Sequence, residues 1–335
     1  MNLSTVDQQH FGQLTEPHRR ELKLHCYRMM GSLQEAEDMV QETFLRAWRR
    51  RETYEGRASL RAWLYRIATN VCLDMLDKRP QRAVPITYQE VSTLDEPIPP
   101  SVMEPIWLEP YPDEWLISDE ESPERFLSIR ENISIAFVAA LHLLPPRQRA
   151  ILILRDVLEL SANEVADLLE ITVSAVKSAL HRARTTLATA GPALKYGERD
   201  GNVVNKVDQD LLDQYVHAWE TADVDGLVRM LKEDATFSMP PIPAWYQGHD
   251  NIRGLVSKTV FAGPAHGRWR LVPTYANGQQ AFGLYRVGDV PGVHSAYGIQ
   301  VLQVEDGKIV DIITFRSPAL VAQFGLPESL HLVAH

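Results

Sequence analysis

Apolar side chains recur at helical spacing through the first 80 residues. The three stripes are Leu22, Cys26, Met29 and Met30; Ala36, Met39, Val40, Phe44, Ala47 and Trp48; and Leu60, Trp63, Leu64, Ile67, Ala68, Val71, Cys72 and Met75. Residues three and four apart share one face of a helix, so the stripes predict three amphipathic helices. Gly56 interrupts the pattern before the third helix, and Pro80 and Pro85 end the block.

A second helical block covers residues 125–190. Pro145-Pro146 separates two helices, and Ser161 with Glu164 forms a capping box that opens a short helix ending near Leu169. A turn at 170–173 and a helix over 174–190 complete a predicted helix-turn-helix, with Gly191-Pro192 as the stop signal.

The pattern changes after about residue 208. Helical stripes at 211–219, 227–231 and 252–259 precede strand-like runs at 269–276, 280–287, 297–304 and 309–315. Asn277-Gly278 and Asp306-Gly307 are hairpin signals between these runs. Helices followed by an antiparallel meander predict an α+β domain with helices on one face of a curved sheet.

A proline-rich, acidic segment joins the two helical blocks. It has seven prolines between residues 86 and 124, which exclude a long helix, and four large apolar side chains that we expect to dock on the C-terminal domain: Trp107, Leu108, Tyr111 and Trp115. We therefore divide the chain into a helical domain (1–85), an acidic linker (86–130), a helix-turn-helix domain (131–192), a second linker (193–206) and the α+β domain (207–325).

Charge divides along the same boundaries. The 335 residues carry a net charge of −10, which argues against a simple basic nucleic-acid binder. However, residues 86–131 hold 12 Asp/Glu against 2 Lys/Arg, whereas 16–82 hold 14 Lys/Arg against 10 Asp/Glu and 132–199 hold 8 against 6. Two mildly basic blocks thus flank an acidic segment, and such asymmetry can report on partners.

The remaining composition narrows the class of protein. With 45% hydrophobic and 23% charged residues, the chain is typical of globular proteins. Cys26 and Cys72 lie in apolar stripes, which indicates buried free thiols in a reducing compartment and neither disulfides nor a Cys-based metal site. No apolar run approaches the ~18–20 residues of a membrane span, so we expect a cytoplasmic protein that does not bind membranes.

Three polar constellations carry candidate chemistry. Five side chains of the second helix of the helix-turn-helix can reach DNA in a major groove: Lys177, Ser178, His181, Arg182 and Arg184. The helix predicted from the second apolar stripe also has a polar face, which is either solvated or docks on a partner. Its four side chains are Glu35, Asp38, Gln41 and Glu42. The segment 54–74 interleaves Arg57, Arg61 and Arg66 with Tyr54, Trp63 and Tyr65, and Asn70 is placed to read an unstacked base. The structural alternatives are a solvated basic helix and, for Trp63 and Tyr65, a place in the core.

In this order the constellations resemble the extracytoplasmic-function (ECF) group of sigma-70 factors over residues 16–190. The resemblance implies that Glu35, Asp38, Gln41 and Glu42 bind core RNA polymerase, whose large subunits offer clamp helices and a flap to such factors. It implies that Tyr54, Arg57, Arg61, Arg66 and Asn70 bind the −10 element of promoter DNA, and that the helix-turn-helix reads the −35 element. It also implies that the linker threads the polymerase cleft, and that the protein needs no cofactor or metal and is not an enzyme.

The C-terminal block resembles the SnoaL-like cone-shaped α+β barrels, so the expected fold is multidomain: two all-α sigma domains, a region 2 bundle and a region 4 helix-turn-helix, followed by such a barrel. An unknown small ligand is expected in a pocket lined by Tyr215, Trp245, Tyr246, Trp269, Tyr285 and Tyr297. In related isomerases a catalytic Asp stands where this chain has Met239, which argues against catalysis. Some sigma factors with this extension use it instead of an anti-sigma protein. Two rivals stay open at this point, a one-component ligand-sensing regulator and an enzyme in the C-terminal barrel.

Overall fold

The computed structural model describes residues 3, 6–54, 56, 58–77, 82–102, 107–116, 132–189, 208–288, 290 and 292–331. They belong to two compact units. The first unit comprises Met1–Ala83 and Ile135–Glu198, and the second comprises Val84–Ser134 and Arg199–His335. The two helical domains therefore form one unit, and the linker belongs to the same unit as the C-terminal domain.

The first unit is entirely helical in its described part. Its helices are α1 (Gln8–Thr15), α2 (Arg19–Met30), α3 (Leu33–Arg49), α4 (Leu60–Leu76), α5 (Ile135–His142), α6 (Pro146–Leu152, continued by a π-helical turn over Ile153–Val157), α7 (Ala162–Leu169) and α8 (Val173–Thr189). Gly31 ends α2 in the left-handed conformation, and the Ser32 hydroxyl caps α3 by accepting from the Glu35 amide. Cys26 and Cys72 are buried with free thiols, as their apolar spacing predicts.

The second unit combines helices and one sheet. The helices are α9 (Gln209–Thr221), α10 (Val224–Met230), α11 (His249–Lys258) and α12 (Pro318–Gln323), and a single helical turn at Pro85–Tyr88 begins the linker. The strands are β1 (Leu231–Ser238), β2 (Trp245–Gln247), β3 (Trp269–Ala276), β4 (Gln279–Val287), β5 (Val293–Glu305), β6 (Lys308–Phe315) and β7 (Ser329–His331). The meander β3 to β6 and both Gly-containing turns match the predicted pattern, whereas β1, β2 and β7 were not predicted.

The sheet is open, with β2 and β3 at its two edges. Its order is β2-β1-β6-β5-β4-β3, with β7 beside β5 and β1 parallel to β6. Both edges of the sheet are protected from pairing with a further strand. The short strand β2 gives its Trp245 carbonyl to the amide of Ser92 in the linker at 2.9 Å, and Pro273 in β3 lacks the N–H that a further strand would need.

The core of the second unit lies between the sheet and the helices α9 to α11. Trp219, Phe237, Ile252, Trp269 and Ile312 are among its buried members. The second predicted helix ends at Met230, because Leu231 already belongs to β1. None of the helices in the described ranges is both long enough and apolar enough to cross a bilayer.

Candidate functional site

The end of α3, the following turn and α4 enclose a cavity of about 510 Å³ in the first unit. Three of the residues expected to bind the −10 element line it: Tyr54, Arg66 and Asn70. Arg46, Arg50 and Trp63 complete much of its wall, and the Asn70 side chain is exposed to it from the outer face of α4. The cavity therefore combines three cations, two aromatic rings, one amide and the carboxylate of Glu170.

Two aromatic rings form one wall of the cavity. The Tyr54 hydroxyl donates to the Ala58 carbonyl at 2.8 Å, which holds the turn, and the Tyr54 ring lies 5.2 Å from that of Trp63. Trp63 is half-buried and lines the cavity, whereas Tyr65 is buried in the core with its hydroxyl on Glu21. The structural alternative thus holds for Tyr65 but not fully for Trp63.

The other predicted arginines lie elsewhere. The Arg61 Nε donates to Glu21 at 2.7 Å, and its guanidinium lies 4.9 Å over the Tyr65 ring, away from the residues that line the cavity. Arg57 lies outside the described residues. The cations that sequence reasoning missed are Arg46 and Arg50, for which the dense arginine run at the end of α3 was the available signal.

Arg46 links the cavity to the polar face of α3. Its guanidinium donates to Glu42 and to Asp74, both at 2.7 Å, and these bonds raise its pKa. Because Asp74 lies on α4, one turn beyond Asn70, the arginine ties α3 to the helix that carries the Asn70 amide. Glu42, expected to bind polymerase, is thus already engaged with a residue of the cavity wall.

The polar face of α3 is only partly open. Asp38 and Gln41 are exposed, whereas Glu35 is largely buried and paired with Arg82 at 2.9 Å. Leu45 lies on the same face, and its apolar side chain is 50% exposed. Sequence reasoning missed Leu45, although its spacing of four from Gln41 and seven from Asp38 signals a shared face.

The helix-turn-helix is built as its sequence predicts. Ser161 and Glu164 form the capping box, with bonds of 2.7 Å and 3.2 Å, and the apolar residues Val165, Leu168 and Val176 are buried between α7 and α8. The outer face of α8 exposes all five expected DNA-binding side chains, which are Lys177, Ser178, His181, Arg182 and Arg184. Arg184 differs from its neighbours because its guanidinium binds both oxygens of Asp156, at 3.0 Å and 2.7 Å.

In the second unit the described residues of the linker contact both edges of the sheet. It bonds to Trp245 of the edge strand β2 through Ser92, to the Pro241 carbonyl through the Val102 amide at 2.9 Å, and to the end of the opposite edge strand β3 through Tyr111. Trp107, Leu108 and Tyr111 are buried and Trp115 is half-buried. These side chains make the linker an integral layer of the second unit.

The turn between β3 and β4 holds the far end of the linker. The Asn277 side-chain oxygen accepts from the Tyr111 amide at 2.6 Å, and its nitrogen donates to the Ile133 carbonyl at 2.6 Å. The next amide, that of Gly278, donates to the Asp113 carboxylate at 2.8 Å. Asn277, which is fully buried, thus bonds to the chain on both sides of residues 117–131, which lie outside the described residues.

The aromatic residues expected to line a pocket are placed in three environments. Tyr215, Tyr246, Trp269 and Tyr297 pack in one core, where Trp269 and Tyr297 meet at 5.0 Å. The Tyr285 hydroxyl donates to the Pro327 carbonyl at 2.8 Å, and Trp245 donates to the Gln89 carbonyl of the linker at 2.9 Å.

A buried polar chain runs through that core. The Tyr215 hydroxyl donates to Gln300 at 2.6 Å, and the Gln300 amide donates to Thr314 at 2.7 Å. Burial raises the pKa of Tyr215, so its hydroxyl stays protonated. Met239 is buried in the same core, where it offers no proton acceptor.

The carboxyl of Asp311 in the second unit has a raised pKa. Asp311 on β6 accepts a 2.5 Å hydrogen bond from the Thr236 hydroxyl on the parallel neighbour β1. Burial raises the pKa of Asp311 to about 6, and the bond from Thr236 offsets only part of this effect.

Family comparisons match all three structural regions. The sequence model of Sigma-70 region 2 matches residues 14–81, that of Sigma-70 region 4 matches 134–187, and that of the SnoaL-like domain matches 212–312. The ECF RNA polymerase sigma factor SigG of Mycobacterium tuberculosis (strain H37Rv) is 42% identical over 323 residues, which cover 96% of this chain and 85% of the relative. SigJ of the same strain, also an ECF RNA polymerase sigma factor, is 28% identical over 312 residues, 90% of this chain and 89% of the relative.

The fold has a counterpart among solved structures. The crystal structure of the extracytoplasmic function sigma factor SigJ from Mycobacterium tuberculosis superposes with a TM-score of 0.57 at 22% identity, covering 94% of this chain and 99% of that one. This likeness concerns the fold alone. The region 2 match is the decisive finding against a one-component regulator, which would leave residues 14–81 without a role.

Proposed function

Because the chain belongs to the ECF family of RNA polymerase sigma factors, we propose that the surfaces of its first unit carry out the binding steps of promoter recognition. The protein is a transcription initiation factor and not an enzyme. We place its action in the cytoplasm, where bacterial RNA polymerase works. The observation that supports the assignment of surfaces best is the cavity on α4, which joins Tyr54, Arg66 and Asn70 in one enclosure.

The cavity suits a single unstacked base of the −10 element. Tyr54 and Trp63 offer ring faces for stacking, the Asn70 amide offers a donor and an acceptor for a base edge, and cations at the rim attract the flanking phosphates. We assign the −10 contact to these residues and not to Arg61, which Glu21 holds away from the cavity.

The outer face of α8 suits duplex DNA of the −35 element. Lys177, His181 and Arg182 are exposed, and such a helix enters a major groove. Arg184 can bind DNA only after its ion pair with Asp156 breaks, so we assign it a weaker contact with DNA.

Core polymerase docks on the exposed part of α3. Asp38, Gln41 and Leu45 are exposed on one face of this helix, and protein interfaces combine an apolar centre with a polar rim. The clamp helices are the expected partner of this face, and Glu35 contributes less because Arg82 already neutralises it.

The C-terminal domain regulates the factor in cis by holding the linker. A linker that lies across the sheet with Trp107 and Tyr111 buried is not available to thread the polymerase cleft. The released and the captured linker are therefore two states of one equilibrium. A small ligand of the C-terminal domain shifts this equilibrium only if it binds one state better. A domain that holds the linker in this way is expected to inhibit the factor and not to activate it.

Run-off transcription with reconstituted polymerase tests the assignment. Full-length protein should direct initiation and co-purify with core polymerase, and Leu45→Asp should lose both properties, whereas Tyr275→Asp, at an exposed tyrosine of the second unit, should keep them. Equal co-purification of the two variants would contradict the docking surface.

Regulation in cis needs a variant that loosens the linker without disturbing the fold. Asn277→Gly retains the left-handed turn but removes the side-chain hydrogen bonds to Tyr111 and Ile133. Asp306→Gly makes the matched change in the other hairpin turn, away from the linker. Asn277→Gly should raise transcription above that of Asp306→Gly, and equal transcription would contradict inhibition through the linker.

A further inference from the structure

A carboxylate from the helix-turn-helix stands at the rim of the −10 cavity. Glu170 directly follows α7 and lines the cavity together with Arg66 of α4. The two side chains form an ion pair across 104 positions of sequence, between the domain that reads the −35 element and the domain that reads the −10 element. Both residues belong to the first unit.

The backbone of Glu170 is unusual for its residue type. It ends α7 in the left-handed conformation, with φ 55° and ψ 44°, a position that glycine or asparagine normally occupies. A glutamate here gains nothing from the turn itself. Its carboxylate instead finds Arg66, so the ion pair is what this residue contributes to the described structure.

A buried contact, and not the ion pair, holds the two domains in this arrangement. Arg149 of α6 is fully buried, and its guanidinium donates to the Leu141 carbonyl at 3.0 Å, to the Leu144 carbonyl at 3.3 Å and to the Met29 carbonyl at the end of α2. By contrast, the Arg66 and Glu170 side chains are 42% and 72% exposed. An exposed pair is weak and exchanges easily with other ions, so Glu170 can leave Arg66 while the domains stay folded.

The three cations of the cavity are differently engaged. Arg46 is held by Glu42 and Asp74 within its own domain. Arg50 is exposed and has no carboxylate partner among the described residues. Arg66 is the cation whose partner comes from the other domain, and it lies on the same helix as Asn70, one turn away.

We propose that the Glu170 carboxylate is an intramolecular ligand of the −10 cavity, which occupies Arg66 in the unbound factor and gives way to a backbone phosphate of the −10 strand. This inference rests on the proposed function, in that the cavity is taken to bind single-stranded −10 DNA. The carboxylate and the phosphate are both anions that accept from a guanidinium, and they compete for one site. Weak competition of this kind disfavours −10 binding by the unbound factor without blocking it in the holoenzyme.

Fluorescence anisotropy with full-length protein tests the proposal. The probe is a labelled single-stranded oligonucleotide that carries the −10 element of a promoter transcribed in the run-off assay. Glu170→Gln removes the carboxylate, and Asp167→Asn makes the same change of charge at an exposed position of α7. Glu170→Gln should bind about two- to five-fold more tightly than Asp167→Asn at low salt, and the difference should shrink as salt screens the exposed pair.

A second variant separates competition from stability. Glu170→Gly also removes the carboxylate, and it fits the left-handed turn, so the protein should be no less stable while its affinity rises as for Glu170→Gln. Equal affinities for both Glu170 variants and Asp167→Asn, with clear binding by wild type, would overturn the proposal and leave the proposed function standing. Absence of binding by every protein, together with no initiation by the holoenzyme, would contradict the proposed function itself.

Discussion

Tyr111 of the linker and Asn277 of the β3–β4 turn exchange two hydrogen bonds. The Tyr111 backbone amide donates to the Asn277 side-chain oxygen at 2.6 Å, and the Asn277 backbone amide donates to the Tyr111 carbonyl at 2.9 Å. Both residues are fully buried. A linker attached in this way is part of a folded layer, and its release is a local unfolding step with its own free energy.

Removing the Asn277 side chain should lower that free energy. Asn277→Gly loses the side-chain bonds to the Tyr111 amide and the Ile133 carbonyl but keeps the backbone bond to the Tyr111 carbonyl and the positive φ of the turn. We therefore expect faster hydrogen exchange at the Tyr111 amide, by about tenfold for ~1.4 kcal/mol lost. Exchange measured by mass spectrometry on peptides over 107–116 checks this. Asp306→Gly should leave exchange in the same peptides unchanged. Similarly faster exchange in both variants would mean that the Asn277 side chain does not hold the linker.

Asn70 should determine base preference in the −10 element. Its exposed amide lines the cavity, so Asn70→Ala should reduce discrimination at one position by about 1–3 kcal/mol. Transcription from a library randomised over the −10 element measures this preference. Asn163→Ala, at an exposed asparagine of α7, is the control, and an unchanged preference in the Asn70 variant would remove the assignment.

The two arginines of α8 should differ in their effect on −35 binding. Arg182→Ala should weaken duplex binding and reduce its salt dependence by about one ion, because its side chain is exposed for a phosphate. Arg184→Ala should have a smaller effect since Asp156 holds the guanidinium, and Asp156→Asn should tighten binding by releasing it. Titrations at several salt concentrations distinguish these variants, and a larger loss for Arg184→Ala would contradict the role given to Asp156.

Asp311 should make the second unit less stable as pH rises. The pKa of its carboxyl is about 6 in the folded protein and about 3.8 when unfolded, so between these values the folded state binds more protons. The free energy of unfolding therefore falls from pH 4 to pH 6, and the loss persists above pH 6. Asp311→Asn should restore on the order of 2 kcal/mol at pH 7.5 but little at pH 4.

Thermal denaturation at the two pH values checks this expectation. Asp306→Asn replaces an exposed aspartate on the β5–β6 turn and serves as the control. A gain for Asp311→Asn that is the same at both pH values would show that the carboxyl does not titrate as described.

The helix-turn-helix shows how far local sequence signals extend. The capping box at Ser161 and Glu164, the helical spacing of Val165 and Val176, and the basic outer face of α8 all appear in the structure as predicted. Such signals depend on residues within one or two turns, where the backbone hydrogen bonds are also local. The same holds for the Asn277-Gly278 and Asp306-Gly307 turns.

The open sheet shows where those signals end. β1 runs parallel to β6 over a long separation in sequence, and β2 has only three residues, so neither leaves a distinct local pattern. The role of Asn277 also escaped prediction, because a turn residue reveals its φ angle in the sequence but not which distant segment its side chain binds.

By itself, the sequence determined the order of the domains and the helix-turn-helix, and it singled out Tyr54, Arg66 and Asn70, which line one cavity. Only the tertiary structure decided that Arg61 turns away to Glu21, that Glu170 meets Arg66, and that the linker folds onto the sheet through Asn277. The physical reason is the range of the interactions. Helix periodicity and capping act between neighbours in the chain, whereas a guanidinium or a buried amide binds whichever distant acceptor the packed core brings within 3 Å.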